Sequence, residues 1–362
     1  MSPEAIAGIV FRTVRGECDA GRSTVYMAVP GNESARWLLP AGGSGIDGVL
    51  ASWKPYRLRS RAAWAAIRAA SRVGRVAALP GVATLEVEEA GGTDWSKLGW
   101  PGQDQPVPVI YLGTPGPRRK AVVHLVDRDS GSCRAVAKVP LTDEAKDAVL
   151  HEAEVLQALA AECLEAAPRL LFVDRARGIA TQSFVEGPSG GRRPGPEVWR
   201  LLRSFVLPGE RTSLKVQVKR WAQEMRYAPG DRTIAAALDD LRDDTSLPLC
   251  WEHGDCTPWN IKRRPDGRYA LIDWEEARRN GVPLQDAYHF LHMQDFLFSR
   301  SPRLHAAEVM AEAAGMGLTL RLCRKLETAY LVSAYVKCMQ RGNPERARFV
   351  LHALTLCRSQ AS

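Results

Sequence analysis

The sequence predicts an α+β fold in which a small β-rich lobe carrying one helix precedes a larger, mainly helical lobe, with an extra region in front of both. Three observations predict it. β-like apolar runs gather between Val107 and Gly187 around one long helical pattern, helical periodicity dominates after Gly187, and the first hundred residues instead mix short apolar runs with turn clusters. At 362 residues, 45% apolar and 25% charged, the chain is long enough for two to three domains and too apolar for disorder along its length.

The elements follow in order. Residues 1–104 end in the Gly/Pro/Asp-rich stretch GGTDWSKLGWPGQDQPVP, which places a boundary near Gln103 and sets this part off as an accessory region. Residues 105–187 form the β-rich lobe, from the runs VPVIYL, KAVVHLVD and CRAVAKV, with the turn DSGS between the last two. Thr142 then opens a helix, with Val149, Leu150, Ala153, Leu156 and Leu159 at helical spacing, and a strand pair (RLLFVD, GIATQSFVEG) follows. Residues 188–362 form the helical lobe, interrupted once by CWEHGDCTPWNIKRRPDGRYALIDWEE.

Composition narrows the function. No apolar run approaches the ~18 residues of a membrane span and no signal-peptide pattern opens the chain, so the expected compartment is the cytoplasm. Eight scattered cysteines without a CxxC pair read as reduced thiols. The net charge of +8 would suit an anionic partner, but in an arginine-rich chain it reads first as solvated surface.

Chemistry concentrates in His253-Gly254-Asp255-Cys256-Thr257-Pro258-Trp259-Asn260, followed by Leu271-Ile272-Asp273-Trp274-Glu275. Phosphoryl transfer to a hydroxyl needs a carboxylate to orient the acceptor and take its proton, and a metal clamp on the phosphates. Asp255 suits the first role. Asn260 and Asp273 suit the second, since Mg²⁺ prefers oxygen ligands and takes few carboxylates, and the turn Pro265-Asp266-Gly267 folds their two segments back on each other.

These two motifs resemble those of the aminoglycoside phosphotransferase and choline kinase-like family, a branch of the protein-kinase-like fold. The resemblance covers residues 107–340 and implies a two-lobed kinase-like fold, ATP or GTP as donor and Mg²⁺ as cofactor. It makes Asp255 the catalytic base, Asn260 and Asp273 the metal ligands, and His253 a residue that stabilises the loop. It also implies that Lys138, in the strand AVAKV, pairs with the α- and β-phosphates, and that a helix glutamate holds it. Glu152 and Glu154 compete for that place. They lie roughly 200° apart around a helix, so only one can face Lys138, and the family pattern favours Glu152. Gly113 and Gly116 occupy the place of the phosphate-covering loop, although the full glycine motif is missing and Pro115 and Pro117 remove amide donors. Phe184 and Val185 match the connector whose backbone holds the base of the nucleotide, and Asp286 matches an aspartate that braces the catalytic loop. A literal GxGxxG at Gly43–Gly48 is refused as a dinucleotide site, because no acid occurs between Asp47 and Glu86 to hold a ribose.

The acceptor is less defined than the reaction. Residues Arg192 to Asp244 carry eleven Lys/Arg against eight Asp/Glu, the reverse of what a polycationic aminoglycoside would demand. The expected acceptor is therefore a neutral or anionic hydroxylated molecule: a sugar, a sugar-containing glycan precursor, or a small amino alcohol with a second, anionic group. A catalytically weak nucleotide-binding regulatory or partner-binding module is the alternative, and neither a protein kinase nor a nucleic-acid binder fits the motifs. In the first region, an acid-free stretch from Lys54 to Arg75 predicts an alanine-rich helix with Trp64 and Ile67 near each other. Such a helix can touch an anionic membrane peripherally, or pack its Ala/Trp/Ile face on a neighbour and expose its arginines.

Overall fold

The computed structural model describes the chain except residues 15–21, 32–33, 43–44, 54, 56–57, 90–93, 103, 163, 225–231, 243 and 360–362. The expected boundary at Gln103, Lys54 and Arg57 of the basic stretch, and Gly43 and Ser44 of the glycine motif lie outside the described residues. Two compact units result, one of Met1–Ser189 with Lys262–Glu275, the other of Gly190–Ile261 with Glu276–Ser362.

The first unit is built on one eight-stranded sheet. Its helices and strands run α1 (Pro3–Thr13), β1 (Arg22–Val29), β2 (Trp37–Pro40), α2 (Ile46–Ala51), α3 (Leu58–Arg72), β3 (Ala83–Glu89), β4 (Val107–Leu112), β5 (Lys120–Val126), β6 (Cys133–Pro140), α4 (Asp143–Ala161), β7 (Leu170–Asp174) and β8 (Ile179–Ser183). The strand order is β3-β1-β2-β4-β5-β6-β8-β7, antiparallel throughout. Alternate residues of each strand feed opposite faces. Tyr26, Ala28, Leu38, Ile110 and Val123 join Ile6, Val10 and Phe11 of α1 in one core, while Met27, Val29, Trp37, Leu39 and Val109 join Val49, Leu50 and Trp64 of α2 and α3 in another.

This arrangement corrects the reading of residues 1–104 as a separate region. Trp37 and Leu38 of β2 pair with Tyr111 and Ile110 of β4, so the sheet runs through the expected boundary without a break. Within the Gly/Pro-rich stretch before β4, a short helix at Trp95–Leu98 buries Trp95 and Leu98 in the core shared with α1. The basic helix is also resolved. Trp64 of α3 is buried and donates from Nε1 to the carbonyls of Leu50 and Trp53 at 3.1 and 3.0 Å. Arg68 and Arg72 pair with Asp47 of α2 at 2.8 and 2.9 Å, and Arg59, Arg61 and Arg75 stay exposed. The apolar face that a membrane contact would use is occupied by the sheet.

Helix α4 begins as expected, with the Thr142 hydroxyl accepting from the Ala145 amide at 3.1 Å. Val149 and Ala153 pack on Ala180 of β8.

The second unit runs α5 (Pro196–Arg203), β9 (Val206–Ser213), α6 (Leu214–Glu224), α7 (Arg232–Asp240) and β10 (Ser246–Glu252). The hairpin of β11 (Ile261–Arg263) and β12 (Tyr269–Leu271) follows; all of it but Ile261 belongs to the first unit. β13 (Arg278–Gly281), α8 (Gln285–Leu297), α9 (Ala306–Ala314), α10 (Leu320–Gln340) and α11 (Pro344–Ser359) complete the second unit. The three-stranded sheet β13-β10-β9 was not expected, because Pro208 and Gly209 make β9 read as a turn. Helix α10 is buried on nearly every side and packs against α7, α8, α9 and α11, which is why its apolar residues show no single stripe.

Candidate functional site

Each unit assembles one half of the residues that the sequence singles out. In the first unit the register of β5 and β6 sets the geometry. Val122 pairs with Lys138, so Lys120, two residues back along β5, emerges on the same face as Lys138. Lys138 Nζ donates to both Glu152 oxygens, at 2.8 and 2.6 Å, and to Asp273 Oδ1 at 2.6 Å. Glu154 instead points outward and pairs with Arg175 at 2.9 Å, as the helical rotation requires.

Glu152 Oε1 also accepts from the Trp274 amide at 3.1 Å, and the fully buried Trp274 ring donates from Nε1 to the Leu271 carbonyl at 2.8 Å. These bonds fix the segment that bears Asp273. Asp273 itself lies in the left-handed region at φ 69°, which aspartate tolerates better than most residues. Burial alone would raise its pKa, but the ammonium groups of Lys120 and Lys138 outweigh that and hold the carboxyl well below its usual range.

Lys120 was not found from the sequence. Its Nζ donates to Asp273 Oδ1 at 3.2 Å and ion-pairs with Glu275. Burial and Asp273 push the Glu275 carboxyl up, against the opposing pull of Lys120. Nothing in KAVVHLV marks its first residue as a site member; only the pairing register with β6 does.

The glycines proposed for the nucleotide loop take ordinary hairpin positions. Gly113 closes the β4–β5 hairpin through its amide to the Lys120 carbonyl at 3.0 Å, and Gly116 lies on the exposed turn. Phe184 and Val185 follow β8, with the Phe184 amide donating to the Arg134 carbonyl at 3.1 Å. The chain leaves them past Gly187, whose φ is 127° and where any Cβ would meet the Arg263 carbonyl oxygen at 1.9 Å, so only glycine fits.

In the second unit the HGD loop hangs from α8. Asp286 accepts from the amides of His253 and Gly254 at 2.8 and 2.9 Å, the bracing role expected of it. Gly254 has φ 80°, and a Cβ there would lie 2.6 Å from the Glu276 carbonyl oxygen, which explains glycine between His253 and Asp255. His253 is fully buried, and its Nδ1 accepts from the Asp255 amide at 3.3 Å. Asn260 donates from its side-chain Nδ2 to the Asp255 carbonyl at 2.9 Å and to Asp255 Oδ2 at 3.0 Å.

The other Asp255 oxygen faces a residue the sequence reading missed. His289 Nε2 lies 3.1 Å from Oδ1. Burial pushes the imidazole down to about 4, so it is neutral near pH 7, and toward a carboxylate that can only accept, Nε2 carries the proton. Its position three residues after Asp286, one helical turn along the same face, was a usable signal. A cavity of about 190 Å³ opens on this pair, lined also by Gln285, Tyr330, Lys337 and Arg346.

Metal ligation calls for a fit to the donors present. Asp273 and Asn260 offer the hard oxygens that Mg²⁺ prefers, and among the described residues no group of three or more His, Cys, Asp or Glu forms a softer alternative. The donor chemistry fits.

Residues 116–322, more than half of the chain, match the family model described as the phosphotransferase enzyme family. The chain belongs to that family. Solved structures similar to this phosphotransferase include the choline kinase LicA from Streptococcus pneumoniae, at 14% identity over 67% of this chain and 92% of that one with a TM-score of 0.46. A thermostable mutant of aminoglycoside phosphotransferase APH(4)-Ia in its apo form is similar at 16% identity over 70% and 95%, with a TM-score of 0.49. The GDP and kanamycin complex of another aminoglycoside phosphotransferase, APH(2")-IIIa, is similar at 14% identity over 70% and 94%, with a TM-score of 0.47. No curated protein matches the chain in sequence.

Proposed function

We propose that this phosphotransferase is a small-molecule kinase that moves the γ-phosphoryl group of ATP or GTP to an acceptor hydroxyl. The observation that carries the reading is the buried Lys138 ammonium held between Glu152 and Asp273, which presents a cation fixed by two carboxylates to a polyphosphate. Asp255 would accept the hydroxyl proton as the acceptor oxygen attacks phosphorus in line; the bond from phosphorus to the bridging oxygen breaks, and its electron pair leaves on the nucleoside diphosphate. His289 donates to one Asp255 oxygen and Asn260 to the other, so the carboxylate is oriented before the acceptor arrives. Asn260 and Asp273 would hold Mg²⁺, which when bound neutralises charge on the phosphates. His253 keeps the loop in shape from behind.

The test is release of ADP or GDP by the purified protein with Mg²⁺ across sugars, amino alcohols, hydroxy acids and aminoglycosides, beside Asp255→Asn. Acceptor-dependent release that falls by about two or more orders of magnitude in the variant is expected for a general base and positioning group. Equal turnover in both proteins would overturn the role of Asp255.

One observation favours the second reading, a catalytically weak nucleotide-binding module. Lys120 already spends its charge on Asp273 and Glu275, so a resident cation competes for the carboxylate assigned to the metal. Acceptor-dependent turnover by the wild type favours the kinase, whereas nucleotide binding with no turnover on any acceptor favours the module.

A further inference from the structure

The cavity beside Asp255 has a charge pattern that Asp255 itself does not explain. Its walls carry three other formal cations, Lys337, Arg341 and Arg346, and two other carboxylates, Glu252 and Asp286. Both carboxylates are already committed. Glu252 takes a bidentate bond from Arg278 at 2.9 and 2.7 Å, and Asp286 accepts the two loop amides. Arg341 is committed too, to Glu276.

Two cations are held less firmly. Lys337 keeps only a long ion pair, to Glu276 at 3.9 Å, and among the described residues no carboxylate lies within ion-pair distance of Arg346, although the charge of Asp255 acts on it. Arg346 is half-buried in the first turn of α11, and its guanidinium lies alongside the Tyr330 hydroxyl. That hydroxyl is buried without a hydrogen bond of good geometry, and so is Oε1 of Gln285 on the same wall. Buried polar atoms normally find partners: Gln285 Oε1 can only accept, as from a hydroxyl, while the Tyr330 hydroxyl and the two loosely held cations can donate to an anion, so the cavity suits a molecule that carries both.

We propose that this cavity takes the acceptor, that the acceptor is a small hydroxyl compound bearing a carboxylate or phosphate, and that Arg346 and Lys337 bind that anion. The inference rests on the kinase reading for Asp255 and adds the substrate class. The volume supports it. At about 190 Å³ it lies below the ~300 Å³ at which drug-sized ligands begin. A guanidinium meets either anion through paired N–H donors, whereas an amine at the same place would face like charge.

The probes are inorganic phosphate, glycerol phosphate and glycerol, titrated by calorimetry into protein saturated with Mg·ADP, so that the phosphate site of the first unit is filled. Phosphate and glycerol phosphate should bind and glycerol should not. Arg346→Gln should weaken both anions at least tenfold, Lys337→Met should weaken them less, and Arg346→Lys should restore part of the loss. Anion affinity unchanged in both Arg346→Gln and Lys337→Met, glycerol binding as tightly as glycerol phosphate, or no anion binding would each overturn the proposal. Failure of Mg·ADP to bind the wild type would instead count against the kinase reading, and the anion titration without nucleotide would then decide the cavity on its own.

Discussion

Replacing Glu152 by Gln keeps the side-chain volume and removes the charge that Lys138 faces. Both Glu152 oxygens accept from Lys138, at 2.8 and 2.6 Å, and the side chains are 3% and 6% exposed, so water cannot take over the lost contact. Removing one partner of a buried pair costs ~3–5 kcal/mol when nothing else balances the remaining charge. Here Asp273 Oδ1 stays 2.6 Å from Nζ. The expected loss is therefore about 2–3 kcal/mol, near the upper worth of one charged hydrogen bond. A unit of about 200 residues loses roughly 2–4 °C per kcal/mol, so its melting transition should fall by about 4–12 °C. Scanning calorimetry of the whole chain reads this, with Glu154→Gln as a control that should not shift, since Glu154 is mostly exposed. A fall of less than about 1 °C for Glu152→Gln would refute the reasoning, because a buried, doubly bonded carboxylate cannot be lost at so little cost.

Three further outcomes follow from the same geometry. Lys120→Met should raise Mg·ADP affinity about tenfold, the equivalent of ~1.4 kcal/mol from a competing cation removed, and calorimetric affinity unchanged from wild type would dismiss the competition. Gly254→Ala forces a Cβ to within 2.6 Å of the Glu276 carbonyl at a left-handed φ, so turnover should fall while nucleotide binding by the first unit persists; normal turnover would show that the loop relaxes freely. Burial holds His124 and His289 at about 4, below the ~6.5 of an unfolded histidine, so between those values only the unfolded chain binds the protons. Stability should be full above about pH 6.5 and decline as the pH falls toward 4, by at most ~3 kcal/mol for each group. A melting temperature flat across that window would contradict it, and His289→Gln should shallow the slope.

The catalytic half of the site was legible because its residues lie close in sequence. His253, Asp255 and Asn260 share one loop, Asp273 ends the next strand, and helical rotation allowed only one of Glu152 and Glu154 to face Lys138, with the family pattern favouring Glu152. Unlike His289, which had a local signal one turn after Asp286, Lys120, Tyr330, Lys337 and Arg346 were missed for a common reason. Each is brought to its place by pairing register or helix packing between distant segments, and neither leaves a local pattern. The sheet was misjudged on the same ground: the linker-like composition before Val107 shows neither which strands the segment joins nor that its Trp95 and Leu98 are buried in the core. The basic helix could be read either way from its sequence, and the buried Trp64 ring decided between them.

The pairing of β2 with β4 makes the first hundred residues a guard for β4, the strand that leads into the phosphotransferase-matched part of the sheet. Without them, Val107–Leu112 would present an apolar row of unpaired amides and carbonyls, the kind of template on which chains add to one another and aggregate. Cutting the chain at the composition break near residue 104 should therefore give insoluble material, and swapping this segment between relatives would need the β2–β4 seam matched. The strands on either side of that seam should exchange their amide protons as one cooperative block.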